Sequence, residues 1–299
     1  MKALITGASS LPGYRTALSL LRRGFFVFAL HFSHDVPISD ANLVKIRVDV
    51  RNFNEVKKVF EKYKPDVTIH MAAYGDVDGC ERDKKLAWDV NVCGTVNVTR
   101  LANKFSDFLL YLSTDYVFDG LRGNYGENEV PNPINFYGLT KLCGEVSALS
   151  SNVSNAIVRA SSIYGLGPGR KNFAKFLIEK LSKRERVKAL IDQYTTPTQA
   201  SLLGEAIAEI LERRLCGIFH VVGEKLSRYE FALKVAEKLG FDKTLIKPAK
   251  MEEMRWITRR PKDSSLNCEE TQKRLKTDFY PTEHVLETLK KEYEEETRR

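Results

Sequence analysis

The sequence predicts an α/β fold, a doubly wound parallel sheet followed by a smaller C-terminal lobe. Three observations carry that prediction: continuously apolar runs of strand length, helix-period segments between them, and a glycine turn directly after the first run. Alternation of this kind implies right-handed crossovers, which wind a parallel sheet with helices on both faces.

Strands are expected at 2–6, 25–30, 44–48, 67–72, 108–113, 156–160 and 217–222. A helix is expected from Leu11 to Arg23, ended by Gly24. Another carries Val56, Val59, Phe60 and Tyr63 on one face, after caps at Asn52 or Asn54, with Pro65 as its stop. Beyond about residue 160 the alternation loosens into helical stretches at 172–181, 201–213, 228–239 and 284–293. The division expected is a dinucleotide-binding unit over 1–160 and a mainly substrate-binding lobe over 161–299, with 195–222 returning to the first.

The 299 residues are 43% hydrophobic and 29% charged, which suits a globular chain and excludes a disordered or fibrous one. A net charge of +8 suits a solvated basic surface or a field for anionic small ligands. No Lys/Arg cluster interleaved with aromatics points to nucleic acid. Cys80, Cys93, Cys143, Cys216 and Cys268 are odd in number and far apart, neither a disulfide framework nor a metal site. The opening MKALITGASS lacks the apolar run of a signal peptide, and no stretch has the length of a membrane span. A cytoplasmic protein without metal is expected.

Strand 2–6 runs straight into Thr6-Gly7-Ala8-Ser9-Ser10-Leu11-Pro12-Gly13 and a helix. A dinucleotide site needs a tight turn, close backbone approach to the diphosphate, and a helix N-terminus facing the anion. Gly7, Ser10, Leu11 and Gly13 are therefore candidate cofactor residues, with Ser10 at the middle glycine position and a hydroxyl to donate. The second strand ends in Leu30-His31-Phe32-Ser33-His34, with no acid until Asp35. Without a carboxylate to hold the ribose 2′-hydroxyl or repel a 2′-phosphate, NADP is expected over NAD, with His31, Ser33 or His34 as partners. Asp49 and Val50, closing the third strand, suit the adenine edge.

The most informative stretch is Tyr137-Gly138-Leu139-Thr140-Lys141, opening a helical pattern through Leu142, Val146 and Leu149. Tyr137 and Lys141, at i and i+4, share a helix face. Reduction of a carbonyl needs a proton, and a phenol can supply it if its pKa, about 10 when unperturbed, falls toward 7, a shift worth about 4 kcal/mol. A close ammonium from Lys141 is the expected cause. Upstream, strand 108–113 runs into Ser113-Thr114-Asp115-Tyr116-Val117-Phe118-Asp119-Gly120. A hydroxyl at the carboxyl end of a parallel strand sits where such sheets bind ligands, so Thr114 is placed to assist Tyr137.

With these motifs the chain resembles the extended short-chain dehydrogenases. More narrowly, it resembles the dTDP-4-dehydrorhamnose reductases and the related beta subunit of methionine adenosyltransferase. The resemblance runs through the Gly7–Gly13 turn, the 70–81 segment HMAAYGDVDGCE, Asn91, the string STDYVFDG, the Tyr137/Lys141 pair, Arg159 to Gly165, Asn172-Phe173, the 195–198 segment and Arg260-Pro261. It implies a Rossmann-type fold in which Ala72, Ala73 and Tyr74 line the cofactor and Asn91 sits behind the active-site helix. It also implies Thr114, Tyr137 and Lys141 as the catalytic set, with Asp115 and Tyr116 near the sugar. The reaction implied is NAD(P)H-dependent reduction of a 4-keto sugar on a nucleoside diphosphate, as in dTDP-rhamnose biosynthesis, by a protein of a type often dimeric. Ser10, the missing acid, and Ser162 in place of a tryptophan depart from the pattern. An epimerase or dehydratase using Asp115, and a regulatory subunit that holds NADP without turnover, are the alternatives.

Overall fold

Seven parallel strands form one sheet in the computed structural model, which describes residues 1–298. Together with four strands outside that sheet, the strands of the described residues are β1 (Lys2–Thr6), β2 (Phe26–His31), β3 (Leu43–Arg47), β4 (Val67–His70), β5 (Phe108–Thr114), β6 (Ser154–Ala160), β7 (Val187–Leu190), β8 (Tyr194–Thr195), β9 (Gly217–His220), β10 (Leu226–Ser227) and β11 (Ile246–Ala249). The main sheet has the order β3-β2-β1-β4-β5-β6-β9. The chain steps outward from β1 to β3, then returns to the other side of β1 as β4. That reversal opens a crevice at the carboxyl ends of β1 and β4, where Thr6 pairs with His70.

The central strands carry no polar face: β1, β4 and β5 are buried almost throughout, as strands covered by helices on both sides must be. β4 ends at His70, two residues short of the expectation. Beyond it the Met71 and Ala72 amides donate to the Thr6 hydroxyl, each at 3.1 Å, so the chain peels from the ladder with its donors satisfied. Asn52 caps the helix Phe53–Tyr63, and Lys64 in the left-handed region ends it before Pro65.

The sequence reading had no helix between β4 and β5. The structure has three short helical segments, Val77–Arg82, Lys84–Trp88 and Asp89–Cys93, running into Gly94–Phe105. Gly79 and Gly94 and the β-branched Val90, Val92, Thr95, Val96, Val98 and Thr99 are weak helix formers, so tertiary packing overrides propensity here. Asp89–Cys93 is a π-turn, a form that gathers at functional sites, and it carries Asn91.

After β6 a second core forms from Tyr164, Leu177, Phe231, Val235, Leu286 and Leu289. Helices Phe173–Leu181, Arg228–Leu239 and Thr282–Thr297 surround it, with the pairs β7–β11 and β8–β10. The helix Ala200–Glu212 instead packs on Leu11–Arg22, and β9 joins β6, so this stretch of chain rejoins the main sheet. No helix among the described residues is long and apolar enough to cross a membrane.

Candidate active site

The glycine turn is built by close approach. Gly7 has φ +69°, and a Cβ there would stand 2.8 Å from the Ala72 backbone. A Cβ at Gly13 would stand 2.3 Å from the Gly7 carbonyl, so Gly13 seats the helix on the turn and does not face the cleft. Ser10 is the helix N-cap: its hydroxyl donates to the Gly7 carbonyl at 2.7 Å and accepts from the Gly13 amide at 3.2 Å. That spends the hydroxyl locally, contrary to the expectation that it would donate to a phosphate.

A cleft of about 800 Å³ opens above this turn. Of the expected cofactor residues, Gly7, Ser10, His31, Asp49 and Val50 line one part and Ala72, Ala73 and Tyr74 another. Leu11, Asn91, Tyr137 and Lys141, also expected to hold the cofactor, do not line it: Leu11 is buried as the first helical residue, Asn91 lies behind the wall, and Tyr137 and Lys141 sit on the helix beyond it, Lys141 buried. Two arginines line the cleft that the sequence reading missed, Arg51 and Arg170. Arg51 grips the Asp49 carboxylate through Nε and Nη2 at 2.9 and 2.6 Å. Burial would raise the Asp49 carboxyl, but these bonds outweigh it and hold it below the usual range. The signal for Arg170 was the run Gly165-Leu166-Gly167-Pro168-Gly169 before it, a glycine-rich loop leaving the carboxyl side of β6.

The catalytic candidates meet where β5 ends. The helix Phe136–Leu149, capped by the Asn135 side chain, sets Tyr137 edge-on to Tyr116 with ring centres 6.0 Å apart. Burial pushes the Tyr137 phenol above its ordinary pKa, while the Thr114 hydroxyl beside it pulls the other way. Lys141 is 3% exposed; its Nζ donates to the Leu112 carbonyl at 2.7 Å and sits 4.1 Å from the centre of the Tyr111 ring. Burial lowers its ammonium to about 7, against a partial counter-pull from Glu145. The expected direct ammonium–phenol contact is therefore not what the structure holds. Lys141 bears on the strand carbonyl, and the phenol is raised, not lowered.

Behind these groups runs a buried polar network. Asn91 accepts from the Tyr74 amide at 2.6 Å and donates to the Tyr74 carbonyl and the Thr140 hydroxyl at 3.2 and 3.0 Å. It thus ties the cleft wall to the helix that carries Tyr137 and Lys141. His70 bridges Thr6 and Thr95 at 2.6 and 2.9 Å, and burial lowers it to about 3, so it stays neutral.

Asp115, expected near the sugar, is 2% exposed and turned inward. Its carboxylate accepts from Thr114, Ser161 and Ser264 at 3.1, 2.9 and 2.5 Å. Burial raises its carboxyl in spite of those three hydroxyls. Its place is to join the ends of β5 and β6 and the Ser264 segment. Tyr116 does sit beside Tyr137, with Arg228 of the C-terminal lobe against it. Deeper, Arg159 holds Glu145 through two bonds of 2.9 and 2.8 Å, pinning the helix Phe136–Leu149 to β6.

Comparison with known proteins agrees with this architecture. The family model described as "RmlD substrate binding domain" matches residues 1–295. A solved structure of a hypothetical dTDP-4-dehydrorhamnose reductase from Sulfolobus tokodaii is 38% identical, with 94% of this chain and 97% of that one covered and a TM-score of 0.83. The Bacillus anthracis dTDP-4-dehydrorhamnose reductase, solved in complex with NADP, is 28% identical over 98% and 99% of the two chains, TM-score 0.84. Methionine adenosyltransferase 2 subunit beta of Xenopus laevis is 29% identical, covering 91% of this chain and 82% of that protein. The chain belongs to the RmlD substrate-binding-domain family.

Proposed function

We propose that this protein is an NADPH-dependent reductase of a 4-keto sugar carried on a nucleoside diphosphate. The observation that carries the reading is the Thr114–Tyr137 pair at the carboxyl end of β5, with a phenol held in its protonated form. A phenol that keeps its proton is suited to give it to a forming alkoxide. Thr114 is placed to hydrogen-bond the substrate carbonyl, and Lys141, titrating near 7 one helical turn from Tyr137, to add positive charge that favours proton release from the phenol. A dinucleotide fits the cleft: the turn passes so close to Ala72 that Gly7 has no room for a Cβ, a helix N-terminus faces in, and the volume is ample. The nicotinamide would supply hydride.

NADP is favoured over NAD by the end of β2, where His31, Ser33 and His34 line the cleft and the acid that follows them in sequence, Asp35, is tied to Lys45 at 3.1 Å. The NADP complex of the B. anthracis relative supports the same choice. The inward-turned, hydroxyl-bound Asp115 argues against a dehydratase, whose acid–base carboxylate must reach substrate. A second reading, a regulatory subunit holding NADP without turnover, is favoured by Ser162. It stands where the resemblance puts a tryptophan, and its backbone lies at φ +43°, leaving no large stacking surface for a sugar. The test is NADPH oxidation with a nucleoside-diphosphate 4-keto-6-deoxy sugar. Steady turnover is expected; tight NADPH binding with no turnover across such sugars transfers the case to the regulatory reading.

A cytoplasmic protein is part of the proposal, and the free thiols of all five cysteines support it. So is a homodimer. Leu139, Val146 and Leu149 are 41%, 61% and 46% exposed on the helix Phe136–Leu149, and Val96 is 38% exposed on the adjoining Gly94–Phe105. Val146→Asp is expected to shift sedimentation from dimer toward monomer, with the monomer still folded by circular dichroism. Unchanged sedimentation of a wild-type monomer would remove the dimer from the reading.

A further inference from the structure

Resting on the dinucleotide reading above, we propose that Arg170, carried on the 165–170 loop of the C-terminal lobe, ligates the diphosphate of the cofactor. The loop leaves β6 and folds back over the glycine turn. Its base is pinned twice at Leu166: the amide donates to Glu292 at 2.8 Å, and the carbonyl accepts from Arg15 at 2.5 Å. Its tip lies against the helix N-terminus. A Cβ at Gly169, whose φ is +93°, would stand 3.0 Å from the Leu11 nitrogen and 3.2 Å from the Ser10 Cα. The Leu11 amide is among the helix donors that have no intrahelical partner, the place where a diphosphate binds. Only a residue without a side chain lets the loop come so near, and the next residue is Arg170, itself lining the cleft.

From there Arg170 spans to the opposite wall. Nη1 donates to the Gly75 carbonyl at 3.1 Å, and Nη2 lies 3.5 Å from Asp76. The side chain is 68% exposed, so this link is a weak one that a better partner can replace. A diphosphate is that partner: two adjacent anionic groups against a planar, permanently charged fork. Asp76 belongs to the cleft lining as well, and its carboxylate would repel the diphosphate. Arg170 offsets that charge. The contact also ties the C-terminal lobe to the cofactor, because the loop base is fixed to the helices Leu11–Arg22 and Thr282–Thr297 through Arg15 and Glu292.

The test measures binding by fluorescence titration to wild type, Arg170→Ala and Arg170→Lys. The Ala variant is expected to bind NADPH and NADH about tenfold more weakly, by the same factor for each, and ADP likewise, with adenosine unaffected. Arg170→Lys should recover part of the loss by restoring a point charge. Because Arg170 is exposed, Tm should be unchanged. Wild-type affinity for both dinucleotides in the Ala variant overturns the proposal. So does a loss confined to NADPH, which would place Arg170 at the 2′-phosphate, or an equal loss for adenosine, which would make its role structural. Failure of the wild type to bind any dinucleotide overturns the cofactor reading itself, and this proposal with it.

Discussion

Tyr137→Phe is expected to lower kcat by about 10³-fold or more while leaving NADPH affinity within about threefold of wild type. The substitution removes one oxygen and keeps the ring, so the edge contact with Tyr116 survives. Thr114 keeps Asp115 as a partner at 3.1 Å and is not stranded. What disappears is the proton. The structure puts the phenol in an environment where burial raises its pKa, so the group is protonated at neutral pH. That suits the reductive direction, in which an acid is needed, better than the oxidative one, in which a phenolate would be. Stopped-flow measurement of a single turnover with a 4-keto sugar substrate checks this. A Phe variant that retains a tenth or more of the wild-type rate would move the acid to another group.

The sequence exposed this chemistry because it lies in residue types at short fixed spacing. Tyr137 and Lys141 are one helical turn apart, and Thr114 ends a strand whose apolar run is plain. The glycine turn was legible for the same reason. What escaped was decided by tertiary contacts. The helix carrying Asn91 is built from β-branched residues that pack against the sheet, so its pattern looked unlike a helix. Ser10 resembled a phosphate donor, yet an N-cap position claims its hydroxyl first. Asp115 follows Thr114 in sequence, but the turn Asp115–Val117 aims it back at Ser161 and Ser264, which lie 46 and 149 residues away. Arg170 reaches the cleft on a loop whose base is held by a distant glutamate and arginine.

Lys141 is the residue whose titration the structure moves into the working range. Burial drops its ammonium to about 7, below the ordinary value near 10.4. Below pH 7 the group is charged and adds a cation one helical turn from Tyr137, which favours loss of the phenol proton to a forming alkoxide; above it, that charge is lost. The rate of reduction is therefore expected to fall as pH rises through about 7, approaching tenfold per unit on the alkaline side. His70 and His220 are both lowered to about 3 by burial, so neither buried histidine contributes that inflection. Lys141→Met should lower kcat by about 10²-fold and abolish the inflection. The same shift has a consequence for stability. Between pH 7 and about 10.4 the unfolded chain binds the lysine proton and the folded chain does not, so wild-type stability gains from this group as pH rises through that window. The Met variant lacks the gain, and the difference in unfolding free energy between the two proteins should move in favour of wild type from pH 7 to pH 10. Urea titrations at those two pH values, set beside the pH–rate profiles, test both halves. An inflection that survives in the variant would assign it to another group, and a pH-independent stability difference would mean that Lys141 keeps its proton when buried.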